Sequence, residues 1–87
     1  MDNNEFLPIG TVVSIKNSDK DLMILGYKMT DEASVDKVEY DYLGCIASIG
    51  IKSLSSYLFF NRDQIEKIVS YGYKDELWEA LKELLNE

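Results

Sequence analysis

The sequence contains no histidine and one cysteine, Cys45. Without an imidazole, Ser-His and Cys-His nucleophiles and imidazole zinc sites are excluded, and one thiol can form neither a metal-binding thiolate cluster nor an internal disulfide. The glycines form no phosphate-binding loop, because neither G-x-G-x-x-G nor G-x-x-x-x-G-K-[ST] occurs. We therefore expect a protein that is not an enzyme and that holds no cofactor and no metal.

Positive charge is scarce, with nine lysines and arginines against sixteen aspartates and glutamates, for a net charge of −7. This balance repels phosphate backbones and anionic lipids, so we expect neither nucleic acid nor a membrane as the partner. Lys52, Lys67 and Lys74 form no stripe with exposed aromatic residues in the sequence. A regulatory nucleic-acid-binding barrel is kept only as a minor alternative.

Long apolar runs are also missing, since nowhere do about 18 consecutive apolar residues occur to span a bilayer. The first residues, MDNNE, lack the basic start and apolar core of a signal peptide. We expect a cytoplasmic protein, and the single cysteine fits a reducing compartment. Cys45 itself has the sequence context of a small buried hydrophobic residue.

Carboxylates are concentrated around residues 29–37, a segment interpreted as a solvated loop. Together with Glu39 and Asp41 they could gather around a divalent cation. The spacing, however, lacks the central glycine and terminal glutamate of a calcium loop. The same groups could also supply a glycosidase acid and base pair, although a chain of 87 residues leaves little room for the cleft. The carboxylates in question are Asp31, Glu32, Asp36, Glu39 and Asp41.

Five short segments rich in β-branched and aromatic residues predict strands. Gly44 within the third segment indicates a bulge or a sharp bend. The predicted strands cover residues 11–16, 22–27, 38–47, 57–60 and 66–71.

Helix signals occur twice. Asn61 with Gln64 three residues later resembles a capping box, and Phe60 with Ile65 matches a hydrophobic staple, so a helical turn is predicted from Arg62. Asp75 is a second cap, and a helix that begins at this cap is predicted over residues 75–86. That helix carries one apolar stripe, formed by Leu77, Trp78, Leu81, Leu84 and Leu85.

These elements predict a single α+β domain with a flexible tail at residues 1–6, a barrel-like sheet over residues 7–73 and a C-terminal helix over residues 75–86. The expected form is a strongly bent antiparallel sheet of about five strands, an SH3-like barrel with the helix over one open end. An open α+β sandwich is the alternative.

Six tyrosines, three phenylalanines and one tryptophan are too many for a small domain to expose, so we assign roughly two thirds of them to the core. Tyrosine and tryptophan are also common anchors of protein interfaces. The helix stripe carries the same ambiguity between packing and partner binding. The candidate partner-binding residues are Tyr71, Tyr73, Trp78, Leu81 and Leu85.

Five separated motifs extend through the sequence: LPIGTVV from Leu7, LMILG from Leu22, YDYLG from Tyr40, FFN from Phe59 and IEKIVSYGYKDE from Ile65. Together they resemble one family, the small domain of unknown function encoded beside LXG toxins of bacterial type VII secretion systems. The resemblance extends over residues 7 to 76, and no single motif is specific by itself. The sequence departs from the family pattern at Ala47-Ser48-Ile49-Gly50, where many members have a Tyr-Pro-Glu-Gly-like turn.

The resemblance implies a non-enzymatic accessory or targeting factor, chaperone-like, that acts in the cytosol with an LXG toxin or its small helical companion proteins before export. It implies no catalytic residues. An immunity protein that occludes a toxin domain is the alternative, and the strong negative charge would suit a basic toxin.

Overall fold

A five-stranded antiparallel sheet followed by a C-terminal helix makes up the fold, in a computed structural model that describes residues 5–32, 35–53 and 56–86. A 3₁₀ turn, Arg62–Gln64, joins the last two strands. The predicted order of strands, turn and helix is confirmed. The elements are β1 (Val12–Ile15), β2 (Asp21–Thr30), β3 (Glu39–Ile46), β4 (Leu58–Phe60), β5 (Ile65–Ser70) and α1 (Glu76–Leu85).

The sheet is open, with the strand order β4-β3-β2-β1-β5. Within the described ranges the two edge strands do not pair with each other, so an SH3-like barrel is not confirmed. The five strands and one helix confirm the predicted α+β class. β4 has three residues, and β5 shifts register twice against β1. Short and bulged edges of this kind offer no long straight ladder for further strand pairing.

The acidic loop between β2 and β3 is shorter than the predicted 29–37. Met29 and Thr30 belong to β2, where they pair with Tyr40 and Glu39 of β3. The prediction was wrong for these two residues because their conformation depends on cross-strand pairing with a distant segment.

Aromatic rings fill the core on one side of the sheet. The Phe6 ring meets Tyr27 and Tyr42 edge-on, with centroids 5.7 Å and 5.5 Å away, and Tyr42 lies 5.2 Å from Phe60. The tail expected at residues 1–6 lies mostly outside the described residues, but Phe6 itself is buried. The buried cluster consists of Phe6, Val13, Ile15, Leu22, Ile24, Tyr42, Phe60 and Ile65.

Two tyrosine hydroxyls hold the backbone of Leu7. The Leu7 N–H donates to the hydroxyl of Tyr42 at 2.9 Å, and the hydroxyl of Tyr27 donates to the Leu7 carbonyl. These bonds satisfy both backbone groups of Leu7, which lie partly buried. They fix the segment at residues 5–8 across the sheet.

A polar network links the 3₁₀ turn to β3. Oδ2 of Asp41 accepts from the backbone N–H of Arg62 at 2.9 Å and from its Nε at 3.3 Å, while Asn61 Oδ1 accepts from the Asp41 N–H at 2.9 Å. As the predicted capping box requires, Gln64 Oε1 accepts from the Asn61 N–H at 2.8 Å. The guanidinium of Arg62 lies 4.4 Å from the Phe6 centroid and so joins this network to the core.

Two glycines permit close approaches between neighbouring segments of the chain. A Cβ on Gly72 would clash with the carbonyl of Ile9 and would lie 2.6 Å from the Thr11 nitrogen. A Cβ on Gly44 would lie 2.8 Å from the Phe60 ring. The bulge predicted at Gly44 is found on the facing strand, between Ile24 and Gly26 of β2.

Cys45 is buried with a free thiol, as the sequence predicts. No helix in the described ranges is long and apolar enough to cross a membrane; α1 has ten residues.

Candidate protein-binding surfaces

The helix α1 is anchored at both ends. At its start, Oδ1 of Asp75 accepts from the backbone N–H of Trp78 at 2.8 Å, which confirms the predicted cap. The Trp78 side chain is only 9% exposed, and its Nε1–H donates to the Tyr27 hydroxyl at 3.0 Å. Near the other end, Leu85 packs against the buried cluster. Trp78 and Leu85 are seven residues apart and therefore define the inward face of the helix.

Three further leucines of α1 face outward. Leu77, Leu81 and Leu84 are 77%, 38% and 65% exposed, and their spacing of four and three residues places them on one face. We call these residues the leucine ridge. Glu76 and Glu83, both exposed, flank it on the side away from Trp78, because helix positions advance by about 100° per residue.

Tyr71 and Tyr73 lie in the extended segment between β5 and α1, and both are exposed. The backbone beneath them is held in place, since the Gly72 N–H donates to Oγ1 of Thr11 at 3.0 Å and the Tyr73 N–H donates to the Ile9 carbonyl at 3.2 Å. The two rings are therefore presented from a fixed backbone.

A groove of about 900 Å³ lies between the segment at residues 5–8, β5 and α1. We call it the lysine groove. Its walls include the apolar residues Leu7, Pro8, Ile68 and Trp78, together with three lysines and three carboxylates. The charged residues are Lys67, Lys74, Lys82, Glu5, Asp75 and Glu79. The Lys74 ammonium lies 4.4 Å from the Tyr71 centroid, and that of Lys82 lies 5.1 Å from the Trp78 centroid.

The five candidate partner-binding residues are divided among different environments. Tyr71 and Tyr73 are exposed and Leu81 is partly exposed, whereas Trp78 and Leu85 face inward. Tyr71 and Trp78 also line the lysine groove. A role in partner binding stays a prediction for all five.

Sequence reasoning missed two features of this region. Leu77 and Leu84 belong to the predicted stripe but were not taken as site residues, although a stripe that wide exceeds what one helix can bury on a small sheet. Lys67 and Lys74, which form no stripe with aromatic residues in the sequence, both line the groove with Tyr71, and the Lys74 ammonium lies over the Tyr71 ring.

The carboxylates considered for metal binding are dispersed. Asp41 is paired with Arg62, and Glu32 lies 3.6 Å from the ammonium of Lys37. Among residues 5–32, 35–53 and 56–86 there is no group of three or more carboxylate or cysteine side chains that could hold an ion.

Burial raises the pKa of the Tyr27 hydroxyl, and the hydrogen bond from Trp78 opposes this only in part. Burial also raises the pKa of Tyr42 well above its usual range, against the opposing effect of the Leu7 N–H. Both hydroxyls therefore stay protonated at neutral pH and act as structural hydrogen-bonding groups.

The described residues thus form a small α+β domain with an open sheet and two surfaces on opposite sides of α1. The chain belongs to the family described as a domain of unknown function (DUF4176), which it matches over residues 6–81. The match includes all five strands and continues into α1 as far as Leu81. No curated protein and no solved structure matches the chain.

Proposed function

We propose that this protein is a non-enzymatic accessory factor that binds another protein through the leucine ridge of α1. The observation that carries the proposal is the exposure of Leu77, Leu81 and Leu84 on a helix that is already anchored by Trp78 and Leu85. Leu77 and Leu84 therefore contribute little to holding the helix on the sheet, whereas Leu81 is more than half buried. Burying these three side chains in a complex would remove apolar surface from water at about 25 cal/mol per Å².

An amphipathic helix is the partner that fits the ridge. Leucines spaced three and four residues apart form a narrow apolar strip that a second helix can pack against. Glu76 and Glu83 beside the ridge favour basic residues on the partner, and they disfavour a second copy of this acidic face. The net charge of −7 acts in the same direction.

The resemblance to proteins encoded beside LXG toxins suggests which helix this is. We propose that the partner is the helical amino-terminal region of an LXG toxin, or one of its small helical companions, and that binding takes place in the cytoplasm before type VII export. The protein would keep that region folded and competent for export, as a targeting or chaperone-like factor.

An immunity role is the second candidate, because the net charge of −7 suits the occlusion of a basic toxin domain. The two roles differ in the part of the toxin that is bound. An accessory factor binds the amino-terminal half, whereas an immunity protein binds the carboxy-terminal half.

Co-expression with a toxin encoded beside this protein, followed by size-exclusion chromatography, tests the proposal. We expect one complex, and we expect the amino-terminal half of the toxin to be sufficient to form it. Separate elution of two folded proteins would contradict binding, and capture by the carboxy-terminal half alone would favour immunity.

The ridge itself is tested with the double variant Leu77→Ser/Leu84→Ser. Both side chains are exposed, so the variant should unfold at nearly the same temperature as the parent while losing the complex. Ile49→Ser, which changes an exposed apolar side chain in the turn after β3, is the matched control and should retain the complex. A complex that survives the ridge variant would place the contact elsewhere.

A further inference from the structure

We propose that the face of the sheet turned away from the buried cluster is a second protein-binding site, and that it takes a partner segment in which basic residues flank a large apolar side chain. The helix α1 and residues 5–8 pack on the other face, where Leu85 and Leu7 contact the buried cluster. The proposed site is a group of partly exposed apolar side chains that do not belong to that cluster, and we call it the methionine patch. Its members are Met29, Tyr40, Leu43 and Phe59.

Contacts across three strands make the methionine patch continuous. Leu43 of β3 and Phe59 of β4 are paired in register, next to the paired core residues Tyr42 and Phe60. Because successive side chains of a strand point to opposite faces, Leu43 and Phe59 lie on the face away from the core. The Phe59 ring lies 5.5 Å from the ring of Tyr40, and Tyr40 is paired in register with Met29 of β2.

Gly26 leaves a recess within the patch. A Cβ on Gly26 would lie 3.7 Å from Cβ of Leu43 and 4.0 Å from Cγ of Met29, which places both side chains on the same side of β2. Because Gly26 carries no side chain, the space between them stays open at the surface. A glycine inside a strand is a common site for the close approach of a ligand or a second chain.

The residue types of the patch favour a protein as the occupant. Met29 is 40% exposed, and the other three side chains are partly exposed. Aromatic residues and methionine are enriched in the cores of protein interfaces. A flexible methionine beside two rings can adapt its shape to an incoming apolar side chain.

The loop between β2 and β3 determines the charge that the partner should carry. It begins one residue pair beyond Met29 and Tyr40 and is closed by a hydrogen bond from the Asp31 N–H to the Val38 carbonyl, at 3.2 Å. Three carboxylates and one lysine belong to it: Asp31, Glu32, Asp36 and Lys37. The patch is therefore bordered by an excess of negative charge.

The nearby lysines are already engaged. The Lys37 ammonium lies 3.6 Å from Glu32, and that of Lys28 lies 5.7 Å from the centroid of the buried Phe6 ring. Asp36 is exposed and makes no ion pair with any residue in the described part of the chain. Lysine or arginine on the partner would be attracted to this loop, whereas a second copy of the chain would bring the same acidic loop against it.

The test is selection from a displayed library of random peptides about twelve residues long, roughly 40 Å when extended and so able to cross the sheet. Selection is carried out on the whole protein, with Met29→Ser/Asp36→Lys as the counter-selection target. We expect the recovered peptides to combine Lys or Arg with one or two aromatic or large aliphatic residues. Failure to enrich any peptide over the counter-selection target, or recovery of acidic peptides, would overturn the proposal.

Affinity measurements on a recovered peptide then separate the apolar contact from the charge. Met29→Ser should bind about tenfold more weakly, because it removes an apolar anchor. Asp36→Lys should bind about threefold more weakly, the scale of an exposed ion pair. Both side chains are exposed, so both variants should unfold at nearly the temperature of the parent.

Asp19→Lys is the matched control for Asp36→Lys. Both aspartates are exposed, and they lie beyond opposite ends of β2, so the two variants change the net charge equally. The control should bind the peptide as the parent does. Equal losses in Asp19→Lys and Asp36→Lys would assign binding to net charge alone and refute the site.

A second copy of the chain is tested by size-exclusion chromatography of the protein over a range of concentrations. A dimer of the parent that Met29→Ser does not form would assign the patch to self-association and overturn the proposal. A monomer at all concentrations, together with peptide binding, supports it.

The methionine patch and the proposed function can fail independently. The ridge variant Leu77→Ser/Leu84→Ser should lose the toxin complex and bind the peptide as the parent does. Peptide binding without any toxin complex supports the patch and removes the proposed function. A toxin complex without enrichment of any peptide does the reverse.

Discussion

The indole N–H of Trp78 donates to the hydroxyl of Tyr27 at 3.0 Å, and that hydroxyl in turn donates to the carbonyl of Leu7. One tyrosine of β2 therefore joins the C-terminal helix to the segment that precedes β1. Residues from both of these parts of the chain line the lysine groove.

The coupling between Tyr27 and Trp78 can be measured with Tyr27→Phe, Trp78→Phe and the double variant. Each single change should lower the free energy of unfolding by at least about 1 kcal/mol. Trp78→Phe removes the partly buried bond between the two side chains, and Tyr27→Phe removes that bond together with the one to the Leu7 carbonyl. The double variant should be more stable than the sum of the two losses predicts, by about 0.5 kcal/mol or more. Urea unfolding is followed by far-UV circular dichroism, because Trp78 is the only tryptophan and its replacement removes the tryptophan fluorescence signal. Strictly additive losses would refute the coupling.

Gly72→Ala should be among the most damaging single substitutions. The added Cβ would clash with the Ile9 carbonyl and the Thr11 nitrogen, which are backbone atoms and can move only if the segment after β5 separates from the segment before β1. We expect a loss of at least about 2 kcal/mol in the free energy of unfolding. Thermal unfolding of the variant gives the measurement.

Gly50→Ala is the matched control for Gly72→Ala. A Cβ at Gly50 meets nothing within 4 Å, but its φ of +76° disfavours an alanine. The cost should be about 1 kcal/mol, from backbone strain alone. A larger loss at Gly50 than at Gly72 would show that the close approach of the strands is not the constraint.

Asp41→Asn tests the network between β3 and the 3₁₀ turn. The change keeps the shape of the side chain but removes its charge, which weakens the two bonds that Oδ2 accepts from Arg62. The free energy of unfolding should fall by about 1 to 2 kcal/mol. Glu39→Gln, an exposed position at the start of β3, should change stability by less than about 0.5 kcal/mol; equal effects of the two substitutions would mean that the network adds nothing.

Stability should decrease at high pH because of Tyr27 and Tyr42. Burial raises both pKa values in the folded protein, so the folded state favours the protonated hydroxyls. Their contribution is therefore fully present below the unfolded value of about 10 and is lost as the pH rises toward the folded values. Urea unfolding between pH 8 and pH 11, at steps of about half a unit, measures this loss across the reference tyrosine pKa.

The difference between the parent and Tyr42→Phe isolates the contribution of Tyr42 from that of the lysines, which titrate in the same range. The variant should be less stable at pH 8, because the Leu7 N–H loses its acceptor, and its stability should fall less steeply above pH 10. Parallel pH curves for the two proteins would exclude this origin of the alkaline loss.

Local signals account for most of what could be predicted. Two contacts were predicted because each joins residues three positions apart. Asp75 caps the helix at Trp78, and the Gln64 side chain accepts from the Asn61 N–H at the 3₁₀ turn. The end of β2 was misplaced, because Thr30 is extended only through its pairing with Glu39 of β3. The exposure of Leu77 and Leu84 was also beyond local reasoning, since an apolar stripe does not show how much of it a sheet will cover.

The sequence by itself determined the order of the strands and helix, the ends of α1 and the absence of histidine chemistry, because these follow from composition and near-neighbour patterns. Only the tertiary structure decided that the sheet stays open, that Phe6 enters the core, and that Trp78 turns inward to Tyr27 while Leu77 faces outward. Each of these depends on contacts between segments far apart in the chain, and such contacts have no signature in the local pattern of residues.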